Sequence, residues 1–490
     1  MLQFPKIIQG GMGVGVSNWR LAQAVSKLGQ LGVVSGTALD SLFVRRLADG
    51  DQGGYMRRGL DAFPFPEMAK RIWNEYFVSG GKPADAPYPN LPMHQKRDVR
   101  KLVELCMVSN FVEVFLAKED HKNPVGINYL EKVQIPHLPS IYGAMLAGVG
   151  YVLMGAGIPL HIPGVLDALA LQHPAEYKLM ITGAAQGQFA ALDTPMQFDP
   201  AEYAEGRLPV LRRPKFLAIV SSNTLASTML RRSNGKVDGL VIESPTAGGH
   251  NAPPRGKLQL NAAGEPIYGE RDRVNIPELR TLGVPFWLAG GYGNAEKLRK
   301  ALDQGAAGVQ IGTAFAFTQE SGLRSDLKQR LLQQAAAGAG QVFTDPLASP
   351  TGFPFKVAQL EGTSSSQDAY EKRTRVCDLG YLREPYFTSE GGIGYRCAAE
   401  PVANYVAKGG KVEDTVGRKC LCNSLLSNVG YAQVRNGTSL EPALVTIGDD
   451  LNTVAQFLAP GRDSYSAADV VERLLSLSAD ATEPVLQAMA

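Results

Sequence analysis

The chain has 490 residues, enough for one large domain with an appendage or for two domains. Lys+Arg 49 against Asp+Glu 47 leaves a formal charge of +2. No basic run carries interleaved aromatics, which argues against a dedicated nucleic-acid surface. The hydrophobic fraction of 44% suits a sizeable core, and 53 glycines fit a chain with many strand-to-helix turns.

In chain order, the first residues run straight into an apolar strand at 6–10, so no signal peptide is read. A reduced cytoplasmic protein is the expectation. A helical stretch (19–28) and a second strand (31–35) follow. Residues 40–123 form a long insertion rich in Arg, Pro and aromatics, expected to be helical in part. Strands are then predicted at 124–130, 150–154, 216–220, 238–243, 285–289 and 308–311. Residues 141–160 carry no charge but contain five glycines. They read as a buried helix plus strand rather than a membrane span. Eight apolar strands separated by helical stretches favour an α/β fold, a closed (β/α)8 TIM barrel over residues 1–335. After about 336 the rhythm stops. Residues 336–490 read as a C-terminal extension or cap, with a helix near 467–476.

Two glycine-rich segments stand about twenty residues apart: Val284-Pro-Phe-Trp-Leu-Ala-Gly-Gly-Tyr-Gly293 and Gly308-Val-Gln-Ile-Gly-Thr-Ala-Phe315. Each ends a strand in bare backbone N–H groups, which is how the last two strands of a barrel hold a phosphate. Gly10-Gly-Met-Gly-Val-Gly15 also follows a strand. Read as a dinucleotide fingerprint, with Asp40 as the ribose acid, it fails because Val16 stands where the last glycine belongs. The barrel explains it as close backbone packing against a flat ring; a structural turn without ligand is the plainer reading.

Asn128, in Gly126-Ile-Asn128, offers an amide at a strand's carboxyl end, either to a ring edge or simply to close the strand. Glu243-Ser-Pro-Thr-Ala-Gly-Gly-His250 delivers an imidazole to the barrel mouth, where it can handle a proton near neutral pH. Arg255 is a candidate for pairing with an anionic substrate or a phosphate, or a solvated loop residue. The cysteines are Cys106, Cys377, Cys397, Cys420 and Cys422. Their spacing matches no zinc-ribbon or ferredoxin pattern, so ordinary buried thiols and no metal are expected.

Taken together, Ile7-Ile-Gln-Gly-Gly-Met12, Gly126-Ile-Asn128, Ala247-Gly-Gly-His250, Ala289-Gly-Gly291 and Val309-Gln-Ile-Gly-Thr313 resemble the nitronate monooxygenase (2-nitropropane dioxygenase) family. These are FMN-dependent barrels, and the flavin-dependent enoyl-ACP reductases belong with them. The resemblance covers roughly residues 1–325. It implies FMN, with its phosphate at Gly290, Gly291, Gly312 and Thr313. Gly10, Gly11, Met12 and Gly13 would back the ring, with Gly248 and Gly249 close to it and Asn128 in contact. His250 matches the catalytic histidine. One departure is local: Asn251-Ala-Pro-Pro precedes Arg255-Gly256, where the family commonly continues with Arg-Gly directly.

The leading expectation is oxidation of a nitronate or similar stabilised carbanion with O2. The alternative is an NAD(P)H-dependent enoyl-thioester reductase, with an acyl carrier protein as partner. A non-catalytic flavin-binding partner protein and a phosphosugar enzyme on the same barrel are further readings. The expected partner is a small-molecule substrate, without nucleic acid or membrane.

Overall fold

The computed structural model describes residues 4–97, 99–183, 195–437 and 439–479. Eight parallel strands form one sheet: β1 (Ile7–Gln9), β2 (Gly32–Ser35), β3 (Val125–Leu130), β4 (Tyr151–Gly155), β5 (Lys215–Val220), β6 (Gly239–Glu243), β7 (Phe286–Ala289) and β8 (Gly308–Ile311). Neighbours in sequence are neighbours in space, and β8 pairs with β1 (Ile7↔Val309, Ile8↔Gln310). The last seam, β1 to β2, closes through an Ile8–Leu31 bridge and the Gln9 N–H donating to Leu31 O at 2.9 Å. The protein is therefore a closed (β/α)8 barrel.

The strands are continuously apolar because both faces are buried. Ile8, Val33, Leu153, Leu217, Val241 and Trp287 fill the interior. Gly239 makes room for the largest of them; a Cβ there would meet Trp287 at 3.0 Å and Leu217 at 2.9 Å. Trp287 is fully buried, and its indole N–H donates to Pro5 O at 2.8 Å. Residues 141–160 resolve into the end of helix His137–Leu146 and strand β4. Among the described residues no helix is long and apolar enough to cross a membrane.

The long segment after β2 is helical throughout much of its length: Leu39–Ala48, Tyr55–Asp61, Pro66–Tyr76 and Arg100–Lys118. The last of these packs against helices Trp19–Lys27 and His137–Leu146, so it is the barrel's own second helix. The inserted part is correspondingly shorter than residues 40–123. Apolar side chains cover nearly the whole circumference of Arg100–Lys118, so it shows no single stripe to read.

The end of the chain behaves similarly. Helix Ala467–Ala479 packs between Trp19–Lys27 and Ala295–Asp303, the place of an eighth barrel helix. Its Ala467, Val470, Val471 and Leu474 are buried in the main core. The extension expected from residue 336 onward thus leaves the barrel and returns to it. Between lie small antiparallel ribbons, including Val342–Asp345 with Phe355–Ala358 and Glu384–Phe387 with Ile393–Arg396.

Candidate active site

At the carboxyl ends of the strands lies one deep cavity. Gly10, Gly11, Met12, Gly13, Asn128, Gly248, Gly249, His250, Gly290, Gly291, Gly312 and Thr313 all line it. Its opposite wall comes from the extension: Phe355, Tyr381, Leu382, Leu421, Cys422, Leu425 and the segment Thr446, Ile447, Gly448, Asp450. The extension therefore roofs the site of its own chain.

On the floor, the turn after β1 lies against Asn128. A Cβ on Gly11 would come within 2.4 Å of the Asn128 Cβ, so only glycine fits. The Asn128 amide donates to Gly11 O at 3.1 Å, which aims its Oδ1 elsewhere. Among the described residues that buried Oδ1 and the buried Gln310 Oε1 have no hydrogen-bond partner, and both residues face the cavity. Orphaned buried acceptors are costly, and a ligand carrying N–H donors would satisfy them. At the far end Gly290 (φ +95°) and Gly291 (φ +70°) turn through the left-handed region. A Cβ on Gly290 would collide with Ser244 Oγ at 2.2 Å. The floor thus suits a flat ring with a polar edge, with bare backbone beyond it for a tail.

The side chain of Thr313, the fourth residue expected at the tail, is tied to the extension. The Thr313 hydroxyl donates to Asp450 Oδ1 at 2.5 Å and accepts from Gly448 N–H. It is engaged by the extension rather than free for a phosphate. Burial pushes the Asp450 carboxyl above its ordinary range, which reduces the charge it would set against an anion.

His250 is held from the extension. Its Nε2 lies 2.7 Å from Ser349 Oγ, and its ring meets Phe355 edge-on at 4.8 Å between centroids. The loop carrying it is stitched to the ribbon strand by Lys356 N–H to Gly249 O (3.0 Å) and Asn251 N–H to Pro354 O (2.9 Å). Gly249 N–H donates to Thr446 Oγ1 at 2.8 Å. Enclosure first, and the nearby Lys132 ammonium second, push the imidazole down to about 3, so it is neutral at pH 7.

One group outside the sequence expectation joins it, and a second, Lys132, stands near His250 without lining the cavity. Glu243 ends β6 at the cavity wall, and burial pushes its carboxyl up to about 8. A neutral carboxylic acid and a neutral imidazole thus belong to one site, an arrangement suited to proton transfer. The signal was present in the chain as a single charged residue closing an otherwise apolar strand. Burial likewise lowers Lys132, just beyond β3, to about 7, with its Nζ over the Phe353 ring.

Arg255 does not belong to the cavity. It is exposed, and its backbone N–H donates to Asp272. The four residues before it carry the chain out of the barrel mouth and into solvent. Asp40, the acid of the dinucleotide alternative, is buried against His94 Nε2 (3.0 Å) and the Tyr381 hydroxyl (2.5 Å). It anchors Tyr381, a wall residue of the cavity, and does not itself line the cavity.

The fold and the cavity define a class: a (β/α)8 barrel with a glycine-walled cavity at its mouth. Residues 208–346 match the family model described as nitronate monooxygenase. Two proteins named "Probable nitronate monooxygenase" are similar over part of their length. The one from Bacillus subtilis is 34% identical over 116 residues, 24% of this chain and 31% of that protein. The one from Staphylococcus haemolyticus is 30% identical over 118 residues, 24% and 31% respectively. A (3aS,4S,5R,7aS)-5-hydroxy-7a-methyl-1-oxo-octahydro-1H-indene-4-carboxyl-CoA dehydrogenase of Mycobacterium tuberculosis is 31% identical over 124 residues, 25% of this chain and 30% of that protein. The matched segments thus span under a third of each of these relatives. A structure of FabK from Thermotoga maritima overlays 99% of this chain on 96% of that one, at 15% identity and a TM-score of 0.45.

Proposed function

We propose that the protein is an FMN-dependent oxidoreductase of the nitronate monooxygenase type, acting on a nitronate or similar stabilised carbanion with O2 as acceptor. The observation that carries the cofactor is the floor: two orphaned acceptors, Asn128 Oδ1 and Gln310 Oε1, beside turns where a Cβ on Gly11 would meet Asn128 and one on Gly290 would meet Ser244. When bound, the flavin supplies electron acceptance from the substrate and reaction with oxygen.

The chain's own groups do the rest. Gly10 to Gly13 and Gly248 to Gly249 let the backbone lie close to the ring. Gly290, Gly291 and Gly312 give backbone room for the phosphate. His250, neutral and fixed by Ser349, accepts a proton or a hydrogen bond from the reacting centre. Lys132 stands close enough to His250 to act on it electrostatically, and its cationic form favours an anionic substrate there. The roof excludes water from the ring.

A second reading, NAD(P)H-dependent reduction of an enoyl thioester, is favoured by one feature. Glu243 holds a proton at neutral pH, as an acid that protonates a carbon must. The test is anaerobic. The purified protein is loaded with FMN, and a nitronate and NAD(P)H are added separately while the flavin band is followed. Bleaching by the nitronate alone supports the proposal. Bleaching by NAD(P)H alone moves it to the reductase, and failure to bind flavin rejects both.

A further inference from the structure

An acidic group stands at the tail end of the cavity. Asp450, just before the turn Leu451–Phe457, lines it together with Gly290, Gly291 and Gly312. Its Oδ1 accepts from the Thr313 hydroxyl at 2.5 Å, and its Oδ2 lies 3.4 Å from where a Cβ on Gly293 would stand. Gly293 follows β7 and Thr313 follows β8, so one carboxyl spans the outflow of both glycine turns. Its place is fixed by the backbone around it. Gly448 N–H donates to Thr313 Oγ1 at 3.2 Å, and Asp449 N–H donates to Thr246 O at 3.1 Å. A Cβ on Gly448 would meet Asp450 Oδ1 at 2.8 Å, so glycine leaves the carboxyl its room.

An ionised carboxylate only accepts hydrogen bonds, and so does a fully ionised phosphate. Two such groups at one site repel unless a proton lies between them. The surrounding charges do not remove the conflict. Lys297 acts on Asp450 from helix Ala295–Asp303, but it is exposed and its ammonium donates to Gly291 O at 2.6 Å. Asp449 adds a like charge from the next residue. From the core side the Tyr465 hydroxyl donates to Ala314 O at 2.7 Å and is held neutral by burial. Thr313 and Gln456, which donates to Gly293 O at 2.8 Å, carry no charge.

Resting on the flavin reading, we propose that Asp450 is a specificity residue for the flavin tail: FMN binds with one proton taken up from water, held between the Asp450 carboxyl and the phosphate. The carboxylate becomes a carboxylic acid, whose O–H donates to a phosphate oxygen; no other bond changes. Burial already raises this carboxyl before an anion arrives, and a phosphate beside it raises it further. Below the first value the proton is present before binding. Above it the proton has to be acquired, so affinity for FMN falls as pH rises. Riboflavin, which has no phosphate, carries no such dependence.

The test uses the full chain stripped of flavin. FMN and riboflavin are titrated by flavin fluorescence between about pH 7 and 8.5, above the phosphate's own last ionisation near roughly 6. The expected result is an FMN Kd that rises about tenfold per pH unit, as uptake of one proton requires, and a riboflavin Kd that stays within about twofold. Asp450→Asn keeps an acceptor for Thr313 and gains a neutral donor, so its FMN Kd should be flat and, at the alkaline end, about tenfold or more below that of the wild type. Glu243 and Lys132 also titrate in this cavity's surroundings; the Asn variant retains both and so isolates Asp450. Should Asp450→Asn not fold, calorimetry of FMN binding to the wild type in two buffers of different ionisation enthalpy decides, with about one proton expected per flavin. An FMN Kd that does not change with pH, or a slope retained in the Asn variant, would overturn the proposal and leave the flavin reading standing. Failure of both flavins to bind would overturn the two together.

Discussion

The floor of the cavity is made by strand ends, with the Gly10–Gly13 turn after β1, Asn128 in β3, Glu243 in β6 and Gly290–Gly291 after β7. The roof is made by residues more than a hundred positions away from most of these, in Ser349, Phe355, Tyr381 and Thr446 to Asp450. The floor presents bare backbone and orphaned acceptors, and the roof presents side chains already paired with the floor. Ser349 holds His250, Thr446 holds Gly249, and Asp450 holds Thr313. A ligand site on this barrel is thus half inherited from the strands and half supplied by a segment that returns to close the barrel wall.

The sharpest way to break this comparison is to remove the return. Ending the chain at residue 466 strips the barrel of the buried Val470, Val471 and Leu474. At about 1.5–3 kcal/mol for each fully buried side chain, the loss is of the order of the whole stability of a domain. We predict loss of a cooperative melt; a truncated protein that melts within a few degrees of wild type would show that the returning helix contributes little to the barrel.

Within a folded protein, His250→Ala should lower turnover by roughly 10²–10⁴-fold while leaving flavin affinity near wild type. Steady-state rates and a fluorescence titration check both parts, and unchanged turnover would remove His250 from the chemistry. Glu243→Gln comes next, at about 10²-fold. Its sign with pH is definite. Burial holds the proton up to about 8, so the acid form is present below that value and lost above it. The wild-type rate should therefore fall as pH rises through about 8, and the Gln variant should lose that limb. An identical alkaline limb in both proteins would assign it to another group.

Ser349→Ala tests the roof's grip on the floor. One hydrogen bond is worth about 0.5–1.5 kcal/mol, so turnover should drop about 2- to 10-fold with flavin binding intact. The smallest effect is expected for Arg255→Ala, within about twofold in any rate, since a solvated side chain outside the cavity contributes little. A tenfold loss there would mean that the loop after His250 folds over the site during turnover.

The floor was legible because its chemistry is local. A strand that runs out into glycines is written in consecutive residues, and all eight strands lie where the apolar runs predict them. Asn128 and His250 follow from the same logic. The roof was not legible because its meaning is relational: nothing around Ser349 or Thr446 announces the residue that each will hold. Arg255 misled because proximity in sequence to His250 is not proximity in space once Asn251-Ala-Pro-Pro intervenes. The two barrel helices assigned to insertion and extension were hidden for a similar reason. Arg100–Lys118 is apolar nearly all round, and Ala467–Ala479 is far in sequence from the strands it covers.

The most direct measurement is hydrogen exchange of the protein with and without FMN. The account predicts simultaneous protection of the floor, at residues 10–13 and 289–293, and of the roof, at residues 446–450. Protection confined to the floor would contradict a shared cavity, and no protection at either would mean that the barrel mouth is not the flavin site.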